Sequence, residues 1–341
     1  MTAPGPNPNI TAPLPRVESR PSAPQSQAVV AHDLNLRFAE NTGVFDVSMN
    51  VPSGTIFALI GPSGCGKTTT VRILTGVYKA QSGEARVLGD NPAEFHTRTR
   101  ERIGYLPQQF VLYPNLTVWE NLNFVASLYG MNYFKRRKRL NMLLDFVELT
   151  DARHRLGSKL SGGMQRRLSL ACALVHNPAL LFADEPTAGI DPVLRGKFWD
   201  YFRQLREQGQ TLFVTTQYVG EAAYCDYVGV MRDGRLLFVD TPDGLRHRAF
   251  GGEVVRLVVD PDKVMQTQDL IQRANIANDV RRSRRERGLL LLYVVEASEA
   301  MPAVVRLLDE HQITARQVEE YLPPFDDVFI VLMQQAEADD A

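Results

Sequence analysis

Residues 61–70 read GPSGCGKTTT, and how this stretch is read decides the fold. It fits G-x-x-x-x-G-K-[ST] and stands between a strand-like apolar run, TIFALI at 55–60, and a helical pattern, KTTTVRILTG at 67–76, which carries Val71 and Leu74 and closes on Gly76. Strand, glycine loop and helix in that order are the context in which successive backbone N–H groups can wrap a phosphate. The N–H groups from Gly64 through Cys65, Gly66 and Lys67 to Thr68 would form the cradle, with Gly61, Pro62, Ser63 and Thr69 completing the nucleotide-binding set. Lys67 would reach the β and γ oxygens, and the Thr68 hydroxyl would ligate Mg2+. Cys65 reads as a small tolerated residue, because the nucleophile in such sites is water.

Outward from the loop, residues 29–60 alternate apolar and polar positions in short runs, as strands do. TVWENLNFVASLYG at 117–130 opens with Thr117 three residues before Glu120, a capping box, and residues 117 to about 175 read as helical. ALLFAD (179–184), TLFVTT (211–216) and YVGVMR (227–232) are continuous apolar runs of strand length, as expected for strands buried on both faces. The fold class is therefore α/β with a helical insert. Beyond about residue 250 a βαββαβ order suggests a small ferredoxin-like α+β module, and PPFDDVFIVLM at 323–333 places Phe325, Val328, Phe329, Leu332 and Met333 on one face of a closing helix.

The 341 residues exceed the size at which one core stops growing, about 250–300 residues, so two units are expected. The division reads as a proline-rich, disordered leader at 1–28, a nucleotide-binding unit at 29–250 with a helical subdomain at about 110–176, and a C-terminal α+β unit at 251–341. The leader has neither an apolar h-region nor a basic n-region, so it does not read as a signal peptide. Lys plus Arg (38) and Asp plus Glu (39) nearly cancel, which gives no overall field toward nucleic acid or an anionic membrane. Three widely spaced cysteines, Cys65, Cys172 and Cys225, form no metal-ligand pattern and suit a reducing cytosol. No stretch approaches the ~18 uninterrupted apolar residues of a membrane span. Two basic runs, FKRRKR (134–139) and RRSRRER (281–287), could grip anionic headgroups or nucleic acid; a solvated helix face and a solvated hairpin turn are the ordinary readings.

LLFADEP at 180–186 ends a buried strand with two carboxylates, which an apolar run would exclude unless they had a task. Asp184 can hold Mg2+ through its water shell, and Glu185 can polarise the attacking water. At 160–169, LSGGMQRRLS sets a serine and two glycines at the start of a helix, a plausible anion site.

On LSGGMQ, LLFADEP, AGIDP (188–192) and GYLPQ (104–108), over about residues 29–245, the chain resembles the ATP-binding subunits of ABC transporters. That resemblance implies a P-loop NTPase core of the ABC ATPase type, with an antiparallel β subdomain and a helical subdomain, that binds ATP and Mg2+. It implies that the signature residues Ser161, Gly162, Gly163 and Gln165 meet the γ-phosphate held by the opposite subunit, that Asp191 belongs to the D-loop, and that Gln108 senses Mg2+ and the γ-phosphate, its neighbour Gln109 being the other candidate. Phe38, 23 residues before the loop, matches the aromatic that stacks on adenine; a core phenylalanine is the alternative. Where the family pattern expects a histidine on the γ-phosphate, this chain has Gln217, whose amide can donate a hydrogen bond but cannot change charge near neutral pH. Glu185, Gln217 and Lys67 are thus the expected catalytic set.

The C-terminal part resembles the tails of ABC-2-type exporter ATPases, including the daunorubicin-resistance type. The expectation is an ATPase subunit on the cytoplasmic face of the membrane, peripheral, paired with a second ABC ATPase subunit and an integral-membrane ABC-2-type permease, with no nucleic-acid partner. The alternative is a hydrolysis-impaired subunit beside a more active ATPase, or a regulatory nucleotide-binding module.

Overall fold

The computed structural model describes residues 26–109, 112–283 and 286–339. The expected leader lies outside these up to residue 25, and the first strand starts at Gln27, two residues inside the stretch assigned to that leader.

Strands β1 (Gln27–Ala39) and β2 (Thr42–Pro52) form a long antiparallel hairpin; β3 (Ile56–Ile60) runs into the glycine loop and α1 (Lys67–Leu74), and β4 (Ser82–Val87) returns to the other edge of β1. A short α2 (Thr97–Arg100) and β5 (Ile103–Leu106) lead to three helices, α3 (Val118–Leu128), α4 (Tyr133–Phe146) and α5 (Gly162–Ala173). The capping box is formed: the Thr117 hydroxyl accepts from Glu120 N while the Glu120 carboxylate accepts from Thr117 N. Next come β6 (Leu180–Asp184), α6 (Pro192–Glu207), β7 (Thr211–Thr216), β8 (Tyr227–Arg232), β9 (Arg235–Asp240) and α7 (Pro242–Phe250).

The central sheet has the order β5-β6-β7-β3-β8-β9, parallel except for the β8–β9 pair. Alternation sends Ile56, Ala58 and Ile60 of β3, Leu181 and Ala183 of β6, and Leu212 and Val214 of β7 into one core beneath α3, α4, α5 and α6. Their neighbours Phe57, Leu59, Leu180, Phe182 and Phe213 enter the opposite core with α1 and the β1–β2 hairpin. Both faces are covered, which is why these strands read as unbroken apolar runs.

The C-terminal order is β10 (Glu253–Val259), α8 (Val264–Arg273), β11 (Asp279–Arg282), β12 (Leu289–Val294), α9 (Ala297–Glu310) and β13 (Ala315–Tyr321). Its antiparallel sheet runs β11-β12-β10-β13, the ferredoxin-like arrangement expected, over a core of its own. The closing helix α10 (Phe325–Asp339) leaves that sheet: Phe325, Val328 and Leu332 are buried in the core beneath the central sheet, with Phe329 and Met333 packed against it. Helix α10 therefore packs on the larger unit.

The basic run at 134–139 is not wholly a solvated face. Arg136 donates to Met131 O in the α3–α4 linker and to the side chains of Asn123 and Ser127, and Arg139 donates to Leu174 O and Val175 O, carbonyls left over where α5 ends. In the second run Arg281 pairs with Asp279 and lies over Tyr293, and Arg282 donates to Gln268, while residues 284 and 285 lie outside the described residues.

If α10 belongs to the large core, Leu332→Ala lowers the unfolding free energy of that unit by about 2–4 kcal/mol in denaturant titrations. On the same helix half-exposed Ile330→Ala should change it by no more than about 0.5 kcal/mol.

Candidate active site

Four segments converge at the carboxyl ends of β3, β6 and β7. The loop 61–66 turns on Gly64 (φ +80°) and on Gly66 (φ +108°), whose backbone conformation L side chains rarely adopt and where a Cβ would lie 2.7 Å from Met231 Cε. Gly66 is thereby the N-cap of α1, and the first free N–H groups of that helix face the loop. Pro62, Ser63 and Gly64 are exposed, whereas Thr69 sits half-buried in the first turn of α1. Cys65 is buried, and burial pushes its thiol up from the ordinary value, consistent with an inert residue.

Lys67, almost fully buried, donates from Nζ to Gly61 O and Pro62 O at 2.9 Å each and lies 3.7 Å from Glu185 Oε1. The Thr68 hydroxyl donates to Asp184 Oδ1 at 3.1 Å, and Gln108 Nε2 donates to Glu185 Oε2 at 2.8 Å. The structure thus gives Gln108, not Gln109, the contact with the Glu185 carboxylate. Because β7 lies between β6 and β3, its Thr215 is next to both acids: its hydroxyl donates to Asp184 Oδ1 at 2.5 Å and accepts from Glu185 N at 3.0 Å. Glu185 has φ +43°, in the left-handed region.

Thr215 was not among the residues singled out from sequence, nor was Arg166. The Arg166 guanidinium donates to the carbonyls of Pro107, Gln108, Glu185 and Pro186. Burial lowers its pKa to about 10, against the opposing pull of Asp184 and Glu185, and it stays charged at neutral pH. The signal for it was present in helix phase: Ser169, Leu170 and Ala173, three, four and seven residues on, are all buried.

The donor set suits a hard cation. Asp184 and Thr68 offer oxygen beside a phosphate cradle, and among the described residues no group of three or more His, Cys, Asp or Glu side chains is arranged to hold a metal by itself.

The other expected residues lie apart from this cluster. Ser161 caps α5, accepting from Met164 N at 3.3 Å; Gly162 is exposed, a Cβ on Gly163 would meet Leu194 Cδ2 at 2.6 Å, and Gln165 donates to Gly157 O. Among the described residues, no hydrogen bond joins Ser161–Gln165 to the loop 61–68 of the same chain. Asp191 caps α6 by accepting from Leu194 N. The Gln217 side chain is exposed at the end of β7 and makes no hydrogen bond among the described residues. Phe38 is 55% exposed and meets Tyr78 edge-on at 5.7 Å, so it is not a core residue. Its neighbour Arg37 is opposite Gly43, whose carbonyl lies beside Gly66, which puts the β1–β2 hairpin against the phosphate loop.

The family described as ABC transporter matches residues 44–188. The probable multidrug ABC transporter ATP-binding protein YbhF of Escherichia coli (strain K12) is 35% identical over 243 residues, 71% of this chain; the chain spans 41% of the length of that relative. The daunorubicin resistance ATP-binding protein DrrA2 of Streptomyces coeruleorubidus is 33% identical over 306 residues, 89% of this chain and 94% of the relative. A solved dimer of the ATP-binding cassette MJ0796, in a post-hydrolysis state bound to ADP and Pi, superposes with a TM-score of 0.57 at 27% identity, covering 62% of this chain and 98% of that one.

Replacing Thr215 by valine keeps the shape but removes the hydroxyl shared by Asp184 and Glu185, and the expected loss is about 1–3 kcal/mol of unfolding free energy in denaturant titration. Thr215→Ser, which keeps the hydroxyl, should recover most of it.

Proposed function

The chain belongs to the ABC transporter family of ATP-binding proteins, and from that premise we propose that it is the ATPase subunit of an exporter. It would bind ATP in a seam between two cassettes, of the same or of different chains, and hydrolyse it to drive a separate integral-membrane permease of the ABC-2 type. The observation that carries this is the convergence of Lys67, Thr68, Gln108, Asp184 and Glu185 around one glycine loop. The relatives named for daunorubicin resistance and multidrug transport support the export direction. Among the described residues no helix is long and apolar enough to cross a membrane; the proposed station is peripheral, at the cytoplasmic face.

In this reading the N–H groups from Gly64 to Thr68 wrap the phosphates, and Lys67 exchanges its carbonyl partners Gly61 and Pro62 for phosphate oxygens. Thr68, Asp184 and Gln108 would hold the Mg2+ that accompanies ATP, which when bound neutralises charge on the phosphoryl oxygens. Glu185 orients and polarises a water for in-line attack on the γ-phosphorus; the bond to the β-phosphate oxygen breaks, giving ADP and inorganic phosphate. Phe38 supplies an exposed ring for the adenine. Ser161 and Gly163, with Gly162 and Gln165 in the same turn, are free of their own loop and would close on the γ-phosphate held by the facing subunit, while Asp191 would run along the seam.

Gln217 favours a second, narrower reading, in which this chain closes on ATP and a partner cassette supplies most of the turnover. Its amide can donate hydrogen bonds but does not titrate. In the complex with its permease, wild-type protein is expected to hydrolyse ATP at least about 100-fold faster than Glu185→Gln. Turnover no faster than that variant would sink the ATPase reading and leave the second. Gln217→Ala should lower kcat by about 10- to 100-fold if the amide is a working donor.

A further inference from the structure

Arg166 is 2% exposed and among the largest fully buried side chains of the protein. It belongs to α5, the helix that Ser161 caps. From there its guanidinium reaches two other segments. To the loop after β5 it donates at 2.6 Å to Pro107 O and 3.0 Å to Gln108 O. To the end of β6 it donates at 2.8 Å to Glu185 O and 2.7 Å to Pro186 O, with a longer contact of 3.4 Å to Asp184 O. Every one of these acceptors is main chain. The bonds therefore fix where the backbones of Gln108 and Glu185 lie, and leave their side chains to meet each other beside Lys67.

Glu185 needs such fixing. Its φ of +43° is unfavourable for a residue with a Cβ and persists only where the surroundings over-determine it. On one side β7 holds its N–H, through Thr215 O and the Thr215 hydroxyl. On the other side Arg166 holds its carbonyl. A lysine could not do the same, since a single ammonium lacks the planar fork that spans both segments.

We propose that Arg166 is a positioning residue that ties Gln108 and Glu185 to the signature helix, so that α5, on meeting the phosphate held by the facing subunit, moves the metal-side glutamine and the water-polarising carboxylate with it. The inference rests on the nucleotide-site reading above and deepens it: one buried guanidinium joins the half-site a subunit offers its partner to the half-site it keeps.

The test uses the full chain carrying Glu185→Gln to block turnover, with ATP affinity measured by equilibrium binding in EDTA and in Mg2+. Arg166→Lys is expected to lower the thermal midpoint, because carbonyls of one segment lose their donor, yet to remain folded at the assay temperature and to hold the EDTA affinity within about twofold of the parent. The gain in affinity on adding Mg2+ should fall by about 10-fold or more, the size of loss seen when residues supporting a metal site are removed. Gln108→Ala should cause a similar loss, and the double variant no further one, because the two changes break the same link. An undiminished Mg2+ effect in Arg166→Lys, or losses that simply multiply in the double variant, overturns the proposal and leaves Arg166 a packing residue. If the lysine variant does not fold, hydrogen exchange of the parent decides: protection of 104–109 and 162–173 rising with a common midpoint as ATP is added supports the link, and separate midpoints overturn it. A parent that binds no ATP at all defeats the nucleotide-site reading instead, and is recognised as such before any Arg166 variant is made.

Discussion

Lys67, Arg166, Asp184 and Glu185 are 3%, 2%, 1% and 7% exposed, two cations and two carboxylates at the carboxyl ends of a sheet whose strands are otherwise apolar. Buried charge is tolerated only when it is balanced and its hydrogen bonds are closed. Here both conditions are met within the group and its immediate shell. Lys67 and Arg166 spend their protons on carbonyls, Asp184 accepts from Thr68 and Thr215, and Glu185 accepts from Gln108. The sheet order is what makes this possible. Were β7 not between β3 and β6, Asp184 would keep only the Thr68 hydroxyl of its two donors, and the Glu185 N–H would lose its partners on Thr215.

Much of the fold was legible because burial leaves a pattern. Strands covered on both faces become unbroken apolar runs, the capping box announces the start of α3, and the stripe from Phe325 to Met333 marks the inward face of α10. The glycine loop and the two carboxylates were legible for a different reason: chemistry demands those residue types where propensity would not put them. Arg166 and Arg167 show where reading the chain stops. They stand side by side, yet Arg166 is buried among carbonyls from residues 107–108 and 184–186, whereas Arg167 reaches Val147 O and Glu148 near the surface. Helix phase separates the two, but what Arg166 touches depends on strand order, which local pattern does not encode. The same holds for α10, whose apolar face was plain and whose partner was not.

Inside one subunit, the elements proposed to meet the facing cassette are packed on each other. A Cβ on Gly163 would meet the end of the Leu194 side chain of α6, so this turn and that helix lie side by side. One residue further, Arg195 sets its guanidinium 3.9 Å from the Tyr218 ring centroid and 3.7 Å from Glu221. Tyr218 directly follows Gln217, and Glu221, buried, accepts from Thr216 directly before it. The turn at 161–163, α6 and the segment bearing Gln217 thus form one contiguous set of contacts. Close packing of this kind passes on displacements it cannot absorb.

The C-terminal module is joined to that set at its far end. The 3-10 turn Val219–Tyr224, which begins two residues after Gln217, puts Ala222 into the same apolar core as Phe325, Val328 and Leu332 of α10. Arg232 adds a bond to Met333 O and an ion pair to Glu337. Apolar burial is the larger part of this attachment, since Glu337 is mostly exposed and a screened pair of that kind adds little. The small sheet has a separate core, whereas the inward face of α10 belongs to the large one. That face is continuous with the core that carries β3, β6 and β7, the strands that end before the glycine loop, at Asp184 and one residue before Gln217.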